Sequence, residues 1–299
     1  MEGEKMAKKR TVIQKIRRGA LDLARRYDPV SPRFKLDTSP GYFSPAGSHA
    51  RFAFPEGWYS HQNSSLRKFG VYEAATSELL ASEFPDGGDF VNVGCSFGWH
   101  LINICQSKSV SNAFLFDMNP LVMPVLAYNC AQLDNLSSYT LYPFGLTSRE
   151  SSLLSYNIHL DRMAVSSIAS PVDRGNTPSL TTYGGLMNPS DFEFIDRVDW
   201  HNALVLIDVE GAELDSLSAL WETISAARPR IVMELNEKLS TEDSAELFHR
   251  FKDIGYCFYA IRPTGRVEMK TVEDWQAKRE GRLDCGDKRH FRDVFMTPW

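Results

Sequence analysis

Apolar and polar residues alternate along the chain with two periods, one typical of β-strands and one typical of α-helices. After residue 70 the pattern predicts a helix over 71–83, which the turn sequence at 85–88 ends. The predicted elements that follow are a strand at 90–93, a helix at 98–106, a strand at 112–117, a helix at 121–133 and a strand at 137–146. Strands that alternate with helices of about ten to fifteen residues indicate a mostly parallel sheet with helices on both faces.

The same alternation resumes after a segment of different composition. Residues 150–200 contain many Ser and Thr residues together with strand-like pieces, and we expect them to form an antiparallel insertion over the site. The later elements are predicted as a strand and helix at 202–220, a strand at 228–236, a helix at 241–255 and closing strands at 256–263 and 293–299. Together these segments predict seven strands in one α/β domain at 70–299.

The N-terminal region differs from the rest of the chain in pattern and in charge. Residues 1–35 hold 11 Lys or Arg and 4 Asp or Glu, a net charge of +7, while the remaining residues carry a net charge of −12. Within this arm, residues 11–27 place basic side chains between apolar side chains at helical spacing, which predicts a basic amphipathic helix. Such a helix either binds an anionic membrane surface, RNA or a partner, or packs on its own domain. Residues 36–69, rich in proline, are predicted to form an irregular connector.

Composition narrows the class of protein. A chain of 299 residues with 43% hydrophobic content can form a complete core, which excludes disordered and fibrous proteins. The five cysteines occur singly, so neither a disulfide framework nor a structural metal is indicated, and we expect a reducing, cytoplasmic setting. No apolar run approaches the roughly 18 residues that a membrane-spanning helix needs. Because the body of the chain is acidic, we expect no DNA partner.

In a parallel α/β sheet the ligand binds beyond the carboxyl ends of the strands. The residues that end the predicted strands are therefore the first candidates for a site. They are residues 94–98, Asp117, Gly145, Asp208 with Glu210, and Glu234 with Asn236.

The stretch DFVNVGCSFGWHL, residues 89–101, permits two interpretations. Residues 94–98 match the G-x-S-x-G pattern of a hydrolase nucleophile elbow, with Ser96 as the nucleophile. They also match a glycine turn that holds a nucleotide-like cofactor. The acid and the histidine of an elbow would come from Asp208, His249 and His290. In the hydrolase fold several strands precede the elbow, whereas this stretch opens the alternating pattern, so the pattern favours the cofactor turn.

Residues 94–98 are called the glycine turn, and Asp117 supports a cofactor at this turn. Asp117 ends the next predicted strand, 23 residues after Gly94, as expected of an acid that accepts hydrogen bonds from ribose hydroxyls. Ser96 occupies the second glycine position of a dinucleotide site, which favours S-adenosylmethionine over NAD as the cofactor. The predicted cofactor-binding residues are Asn92, Gly94, Cys95, Ser96, Phe97, Gly98, Asp117, Met118, Asn119 and Gly145.

Several segments between about residues 70 and 298 form a recognisable combination. They are GVYEAATSELL, FVNVGCSFGWHLINI, AFLFDMNPLVMPVLAYNCAQLDN, LYPFGLTSRE, ALVLIDVEGAELDSL and RPRIVMELN. This combination resembles the FkbM-type methyltransferases, a family of class I S-adenosylmethionine-dependent enzymes. The resemblance implies a Rossmann-like class I methyltransferase fold and O-methylation of a hydroxyl on a sugar, glycan or small natural product. The chain departs from the family pattern at Asn92, where an acid is usual, at Leu206, where a lysine is common, and at Gly184 and Gly185, where aspartates are common.

Methyl transfer to a hydroxyl requires alignment of the acceptor oxygen with the methyl group and removal of the acceptor proton. Asp208, Glu210 and Glu213 follow a strand at the ligand edge and are the predicted catalytic carboxylates, with Asp208 and Glu210 as the first candidates for the general base. Glu213 has a second interpretation, as a first-turn acid that the helix dipole stabilises. No metal is predicted, although Asp208, Glu234 and Asn236 are oxygen ligands of a type that suits Mg²⁺.

Two alternatives to a small-molecule or glycan methyltransferase stay open. An RNA 2′-hydroxyl is also a sugar oxygen, and the basic N-terminal arm is suited to contact RNA. The departures at Asn92, Leu206 and Gly184 are compatible with a protein that keeps the methyltransferase fold but binds without catalysis.

Overall fold

The computed structural model describes residues 34–35, 42–45, 51–53, 72–159, 179–209, 211–235, 239–262, 265–280 and 293–299. Several predictions concern residues outside these ranges. They are the basic helix at 11–27, most of the connector at 36–69, Glu210, Asn236 and His290.

The described strands are β1 (Phe34–Lys35), β2 (Tyr42–Pro45), β3 (Phe52–Ala53), β4 (Gly88–Val93), β5 (Val110–Phe116), β6 (Leu136–Tyr142), β7 (Phe144–Leu146), β8 (Ser152–His159), β9 (Ser179–Met187), β10 (Ala203–Ile207), β11 (Arg230–Glu234), β12 (Tyr256–Arg262), β13 (Gly265–Met269) and β14 (Asp293–Pro298). The described α-helices are α1 (Ala74–Glu83), α2 (Trp99–Cys105), α3 (Met123–Cys130), α4 (Glu213–Ala219), α5 (Trp221–Ala227), α6 (Thr241–Asp253) and α7 (Val272–Arg279). None of these helices is long and apolar enough to cross a membrane.

Eight strands form the main sheet, in the order β13-β12-β14-β11-β10-β4-β5-β6. The strands from β6 across to β11 are parallel, and β14 is antiparallel to both β11 and β12. β12 therefore runs in the direction of the parallel strands, and β13 is an antiparallel edge strand beside it. The mostly parallel, Rossmann-like α/β sheet predicted from the sequence is confirmed, and β13 adds an eighth strand to the seven predicted ones.

β4 and β10 lie at the centre of the sheet and are buried along their whole length. Val91 and Val205 face a core that includes residues of α4, α5 and α6, while Phe90 and Leu204 face a core that includes residues of α1, α2 and α3. We name these two sides the α4–α6 face and the α1–α3 face. Because helices cover both faces, β10 is apolar at every position and β4 is interrupted only by the buried Asp89 and Asn92, which explains the apolar runs in the sequence.

The single strand predicted at 137–146 is wrong, because the structure divides this segment into β6 and β7. Pro143 lies between the two strands and has no N–H group to donate to a ladder. β7 leaves the main sheet and pairs in parallel with β9, and the antiparallel β8 completes a small sheet in the order β7-β9-β8. A cluster of aromatic rings connects the small sheet to the main sheet: Phe116, Tyr142, Phe144, Phe192 and Phe194.

A third, antiparallel sheet consists of β1, β2 and β3. Asn129 on α3 attaches this sheet to the domain, since its side chain accepts a hydrogen bond from the Ala53 N–H at 2.6 Å and donates one to the Ala53 carbonyl at 2.8 Å. Phe52 is buried in the core on the α1–α3 face. Part of the segment before residue 70 therefore packs on the same side as the helix that follows the glycine turn.

Candidate functional site

The carboxyl edge of the main sheet has a switch point between β4 and β10. From β4 the chain continues through β5 and β6 on one side, and it later builds β10 and β11 on the other side. Gly94 and Asp208 follow these two strands, and the Asp208 N–H donates to the Val93 carbonyl at 2.9 Å. A Cβ atom added at Gly94 would overlap the carbonyl oxygen of Asp208. Gly94 therefore lets two strand ends approach at the crevice where such sheets bind their ligands.

The glycine turn has a left-handed backbone at every second residue, with φ of 89° at Gly94, 48° at Ser96 and 88° at Gly98. Ser96 thus adopts the conformation of the glycine that it replaces, at a cost of about 1–2 kcal/mol. The N–H groups of Gly94 and Cys95 both donate to the Phe116 carbonyl, at 2.9 and 3.0 Å. These two hydrogen bonds fix the turn against the end of β5.

Asp117 lies directly after β5 and faces the glycine turn. The Ser96 N–H donates to its Oδ2 at 2.8 Å, and the Asn119 N–H donates to its Oδ1 at 2.8 Å. Burial raises the pKa of Asp117 to about 6, and the two backbone hydrogen bonds oppose this shift. A carboxylate has about four acceptor positions, so each oxygen of Asp117 retains acceptor capacity for a ribose hydroxyl.

Cys95 and Phe97 have buried side chains that belong to the core on the α1–α3 face. Their predicted contact with a cofactor would therefore use the backbone. Burial raises the pKa of the Cys95 thiol well above its ordinary value, and Asp117 and Cys130 add to this effect. Burial also raises the pKa values of Cys105 and Cys130 to about 12. Three protonated thiols thus lie in the core behind the glycine turn.

Met118 lies between the main sheet and the small sheet. The Tyr156 hydroxyl on β8 donates to the Met118 carbonyl, and burial raises the pKa of this hydroxyl to about 12, with a contribution from Asp117. A Cβ atom at Gly145 would lie 3.2 Å from the Met118 sulfur. A Cβ atom at Gly184 would lie 2.7 Å from Met118 Cε and 2.7 Å from Tyr156 Cε1. The glycine at 184 is therefore a consequence of packing over Met118.

Asn92 is buried in β4, two residues before Gly94, and its Oδ1 accepts no hydrogen bond in the described part of the chain. An unpaired buried acceptor destabilises a protein by about 1–3 kcal/mol, so a hydrogen-bond donor placed beside this oxygen would be stabilising. The ammonium of an amino-acid moiety is such a donor. The glycine turn, Asp117 and Asn92 are thus residues that fit S-adenosylmethionine, which carries both a ribose and an ammonium.

Of the three predicted catalytic carboxylates, the structure describes two. Asp208 is half-buried and follows β10 at the switch point. Glu213 is buried at the start of α4, and its Oε1 accepts a hydrogen bond from the Gly211 N–H at 2.8 Å. This contact stabilises the loop before α4, which agrees with the interpretation of Glu213 as a first-turn acid. Of the two described carboxylates, Asp208 is therefore the one that lies at the contact with the glycine turn.

A pocket of about 200 Å³ opens between the end of β11 and the starts of α4 and α6. Its lining residues are Gly211, Glu213, Leu214, Met233, Glu234, Leu239, Ser240 and Asp243. Within the described ranges, no group of three or more His, Cys, Asp or Glu side chains is placed to hold a metal ion. Asn236 lies outside those ranges, so the structure does not test the magnesium alternative at Asp208, Glu234 and Asn236.

The nucleophile-elbow interpretation of Ser96 loses support from the position of His249. His249 lies on α6, which packs on the α4–α6 face, whereas α2 follows Ser96 on the opposite face. The Ser96 N–H is bound to Asp117, as a cofactor turn requires.

Sequence reasoning missed the residues that meet at the far end of the same edge. Thr76 on α1 donates a hydrogen bond to Asp293, the first residue of β14, and Glu73 lies one residue before α1. β14 runs antiparallel, so its first residue lies where the parallel strands end. A charged residue at the first position of an apolar closing strand is the signal that would have identified Asp293.

The strand order and the glycine turn define the class I methyltransferase fold. No family model and no curated protein matches the sequence. Among solved structures, the chain is similar to methyltransferase FkbM from Methylobacillus flagellatus KT, with 13% identity over 80% of this chain and 48% of that one and a TM-score of 0.43. It is also similar to an S-adenosylmethionine-dependent O-methyltransferase from Thermotoga maritima (10% identity, 87% and 78% of the two chains, TM-score 0.37) and to a tRNA (m1A58) methyltransferase from Aquifex aeolicus (8% identity, 78% and 71%, TM-score 0.37).

The chain spans about half the length of the FkbM structure. Identities and TM-scores this low leave the activity to be argued from the residues of this chain.

Proposed function

We propose that the chain is an S-adenosylmethionine-dependent methyltransferase whose acceptor is a hydroxyl oxygen of a sugar, glycan or small natural product. One observation carries the cofactor assignment. At the switch point of a Rossmann-like sheet, the Ser96 N–H of a left-handed glycine turn donates to Asp117, which orients the carboxylate at the end of β5. This is the position from which an acid accepts hydrogen bonds from a ribose.

Each part of the proposed cofactor site has a physical role in this chain. Gly94 and Ser96 let the backbone turn tightly at the crevice, and Asp117 accepts the ribose hydroxyls. Asn92 offers its Oδ1 to the ammonium group, which satisfies an acceptor that has no partner in the described part of the protein. Met118, held by Tyr156 and overlaid by the small sheet, closes the site on the side of β5 and β6.

S-adenosylmethionine, when bound, supplies a methyl group on a sulfonium. Asp208, on the opposite side of the crevice from Asp117, accepts the proton of the acceptor hydroxyl in this proposal. The backbone contact between Gly94 and Asp208 fixes the distance between the two halves of the site. Such alignment of the reacting groups is the main contribution that a methyltransferase fold can make to the rate.

The cofactor assignment is tested by calorimetry on the purified protein under reducing conditions. We expect binding of S-adenosylmethionine, and Asp117→Ala should lower the affinity at least tenfold, because a hydrogen bond to a charged group contributes about 1.5–3 kcal/mol. Asp134→Ala, which removes an exposed carboxylate on the loop after α3, is the matched control and should bind like the wild-type protein. Absence of binding to the wild-type protein would refute the enzyme assignment.

The pKa of Asp117 adds a pH dependence with opposite signs for binding and for stability. Its folded-state pKa of about 6 lies above the ordinary value of 3.8, so the charged form destabilises the folded protein above about pH 6. As the pH falls from about 6 toward 3.8, this carboxyl should therefore stabilise the fold, while cofactor affinity should fall because a protonated carboxyl accepts fewer hydrogen bonds. Calorimetry and urea unfolding between about pH 4 and pH 7 measure the two trends.

Transfer of a labelled methyl group to fractionated cell extract tests the acceptor. Label in small molecules or glycans agrees with the proposal, and label in RNA alone replaces it by the 2′-hydroxyl alternative. Asp208→Asn should abolish turnover while calorimetry still shows cofactor binding. Unchanged turnover in this variant would remove Asp208 from the role of general base.

Two of the departures from the family pattern have packing explanations, which weigh against loss of function at those positions. Leu206 is buried in the core on the α1–α3 face, where an apolar side chain is the stable choice. Gly184 has no space for a side chain beside Met118 and Tyr156. A non-catalytic binding protein would bind S-adenosylmethionine in the calorimeter and transfer no label to any fraction.

A further inference from the structure

The first turns of α1 and α2 are joined by a polar cluster that the proposed mechanism has not used. Trp99 Nε1 donates to the Tyr72 carbonyl at 2.7 Å and to Ser77 Oγ at 2.9 Å. The next residue, His100, has Nδ1 at 3.3 Å from Ser77 Oγ and Nε2 at 3.2 Å from Glu73 Oε2. The start of α1 is therefore fixed against the start of α2, which directly follows the glycine turn.

Glu73 has a left-handed backbone, with φ of 45° and ψ of 54°, at the position that precedes α1. This conformation costs a non-glycine residue about 1–2 kcal/mol, and the Glu73 side chain does not cap α1 in return. Its carboxylate is directed to His100 instead. Glycine would adopt this conformation without strain. The presence of glutamate at residue 73 therefore indicates that its carboxylate has a role beside His100.

Asp293 forms the other end of the cluster, because it accepts a hydrogen bond from the Thr76 hydroxyl on α1. Asp293 pairs with Glu234 across β14 and β11, two residues from the buried pair Phe295 and Val232 on the α1–α3 face. Asp293 therefore points to that same face, toward α1, where it contacts Thr76.

Strand register places Asp293 level with the proposed catalytic carboxylate. Ile207 pairs with Met233, so Asp208 and Glu234, the next residues, are level with each other. Neighbouring strands lie about 5 Å apart, and β10, which Asp208 follows, is separated by β11 alone from β14, which Asp293 begins. The backbones of these two residues are therefore about 10 Å apart along the ligand edge.

The charge environment of Asp293 includes groups on α1, α2 and α7 and the residue before α1. The pKa of Asp293 is raised to about 6, first by burial and then by the negative charge of Glu73, although Thr76, Lys278 and His100 lower it. Lys278 is fully buried on α7, and its amino group donates to the Ile261 carbonyl at 3.1 Å. A carboxyl group held at such a cost at the ligand edge of a sheet is more typical of a binding site than of a core.

We propose that Asp293, oriented by Thr76 and flanked by Glu73 and His100, is a specificity-determining residue of the acceptor site. Its carboxylate accepts a hydrogen bond from a second hydroxyl of the methyl acceptor, about 10 Å from the hydroxyl that reacts beside Asp208. This inference rests on the proposed function. It implies that the preferred acceptor is longer than a single sugar ring and lies along the edge from β10 to β14.

The test compares Asp293→Asn with the wild-type protein in labelled methyl transfer to a panel of free mono-, di- and trisaccharides. For a di- or trisaccharide that accepts the label, the variant should raise KM at least tenfold and change kcat less than threefold. The KM for a monosaccharide should be the same in both proteins. Equal KM values for the longer saccharides, or transfer to monosaccharides alone, would overturn the inference.

The pH profile separates binding from a merely structural role. In the wild-type protein, KM for the longer saccharide should rise as the pH falls through about 6, because protonation removes the acceptor that Glu73, His100 and Lys278 influence. Asp293→Asn should show no such rise. If Asp293 only balances the charge of Lys278, the variant will unfold at lower urea concentration and KM will stay unchanged at every pH.

A second pair of variants keeps the inference testable if Asp293→Asn folds poorly. Thr76→Val removes the hydroxyl that orients Asp293 and should raise KM, whereas Thr76→Ser retains the hydroxyl and should not. Asp253→Asn, at the exposed end of α6, is the control for loss of one negative charge. Failure of every saccharide to accept label, while calorimetry shows cofactor binding, would refute this inference and leave the cofactor assignment standing.

Discussion

The two halves of the ligand edge are built by different means. On the side of β4 and β5, backbone groups form the proposed cofactor site: the glycine turn donates to Phe116 and Asp117, and three of its residues have a left-handed backbone. On the side of β10, β11 and β14, side chains form the proposed acceptor site: Asp208 follows β10, Glu234 ends β11 and Asp293 begins β14, all at one level. The first half is defined by local sequence, and the second by strand register.

This difference bears on what each half can change. A turn whose geometry depends on φ and on close backbone approach tolerates few substitutions, as suits a cofactor that stays the same. A row of side chains on separate strands can be altered one residue at a time without altering the sheet. We therefore expect cofactor binding and acceptor choice to respond to different mutations.

The largest effect is expected at Gly94, where the two halves touch. Gly94→Ala would place a Cβ atom on the Asp208 carbonyl and impose a left-handed backbone on alanine, so we expect destabilisation of about 4 kcal/mol or more. Urea unfolding measures this loss. Gly87→Ala is the matched control, because Gly87 also has positive φ but no atom within 4 Å of an added Cβ, and it should cost only about 1–2 kcal/mol. Equal losses in the two variants would show that the contact between the halves is not tight.

A smaller effect is expected at Gly184 on β9, which packs against Met118 beside the proposed cofactor site. Gly184→Ala would place a Cβ atom 2.7 Å from Met118 and Tyr156, and over-packing of this kind costs about 1–3 kcal/mol. The displaced Met118 should also weaken binding of S-adenosylmethionine, measured by calorimetry. Gly185→Ala, whose Cβ would lie 3.3 Å from Phe144, should have the milder effect and keep cofactor affinity. If both variants bind the cofactor equally, the small sheet does not position Met118.

The smallest effect is expected at Ser96. Ser96→Gly removes the strain of a left-handed serine but adds conformational freedom to the unfolded chain, so a net stabilisation of about 0.5–1 kcal/mol should result. The midpoint of thermal unfolding should rise, and cofactor affinity should persist because the Ser96 contact with Asp117 uses the backbone N–H. A tenfold loss of affinity would instead assign the Ser96 hydroxyl to the cofactor.

The cofactor half could be predicted because its signals are local. The spacing of Gly94, Ser96 and Gly98 indicated a turn between a strand and a helix, and Asp117 followed at the end of the next strand. The structure places all four at one end of β4 and β5. The inward direction of Cys95 and Phe97 was not predictable, because a turn does not follow the alternation of a strand.

The acceptor half could be predicted only in part. Asp208 was found because it follows an apolar strand, but Glu73 and Thr76 are separated from Asp293 by more than 200 residues and meet it through the order of strands. The local sequence carries no signal that β14 lies between β11 and β12 in the main sheet. The sequence also did not predict the division of 137–146 into β6 and β7. The residues on both sides of Pro143 are apolar, so this single proline is the only sign that one strand ends and another begins.

The three thiols behind the glycine turn give the protein a built-in reporter of its own opening. At a pKa of about 12, Cys105 and Cys130 hold almost no thiolate at neutral pH, and the thiolate is the form that alkylating reagents attack. Cys95 shares this protection. These three thiols can therefore be alkylated only when the core on the α1–α3 face opens. The rate at which Cys95, Cys105 and Cys130 are alkylated thus measures how often the region around the glycine turn opens.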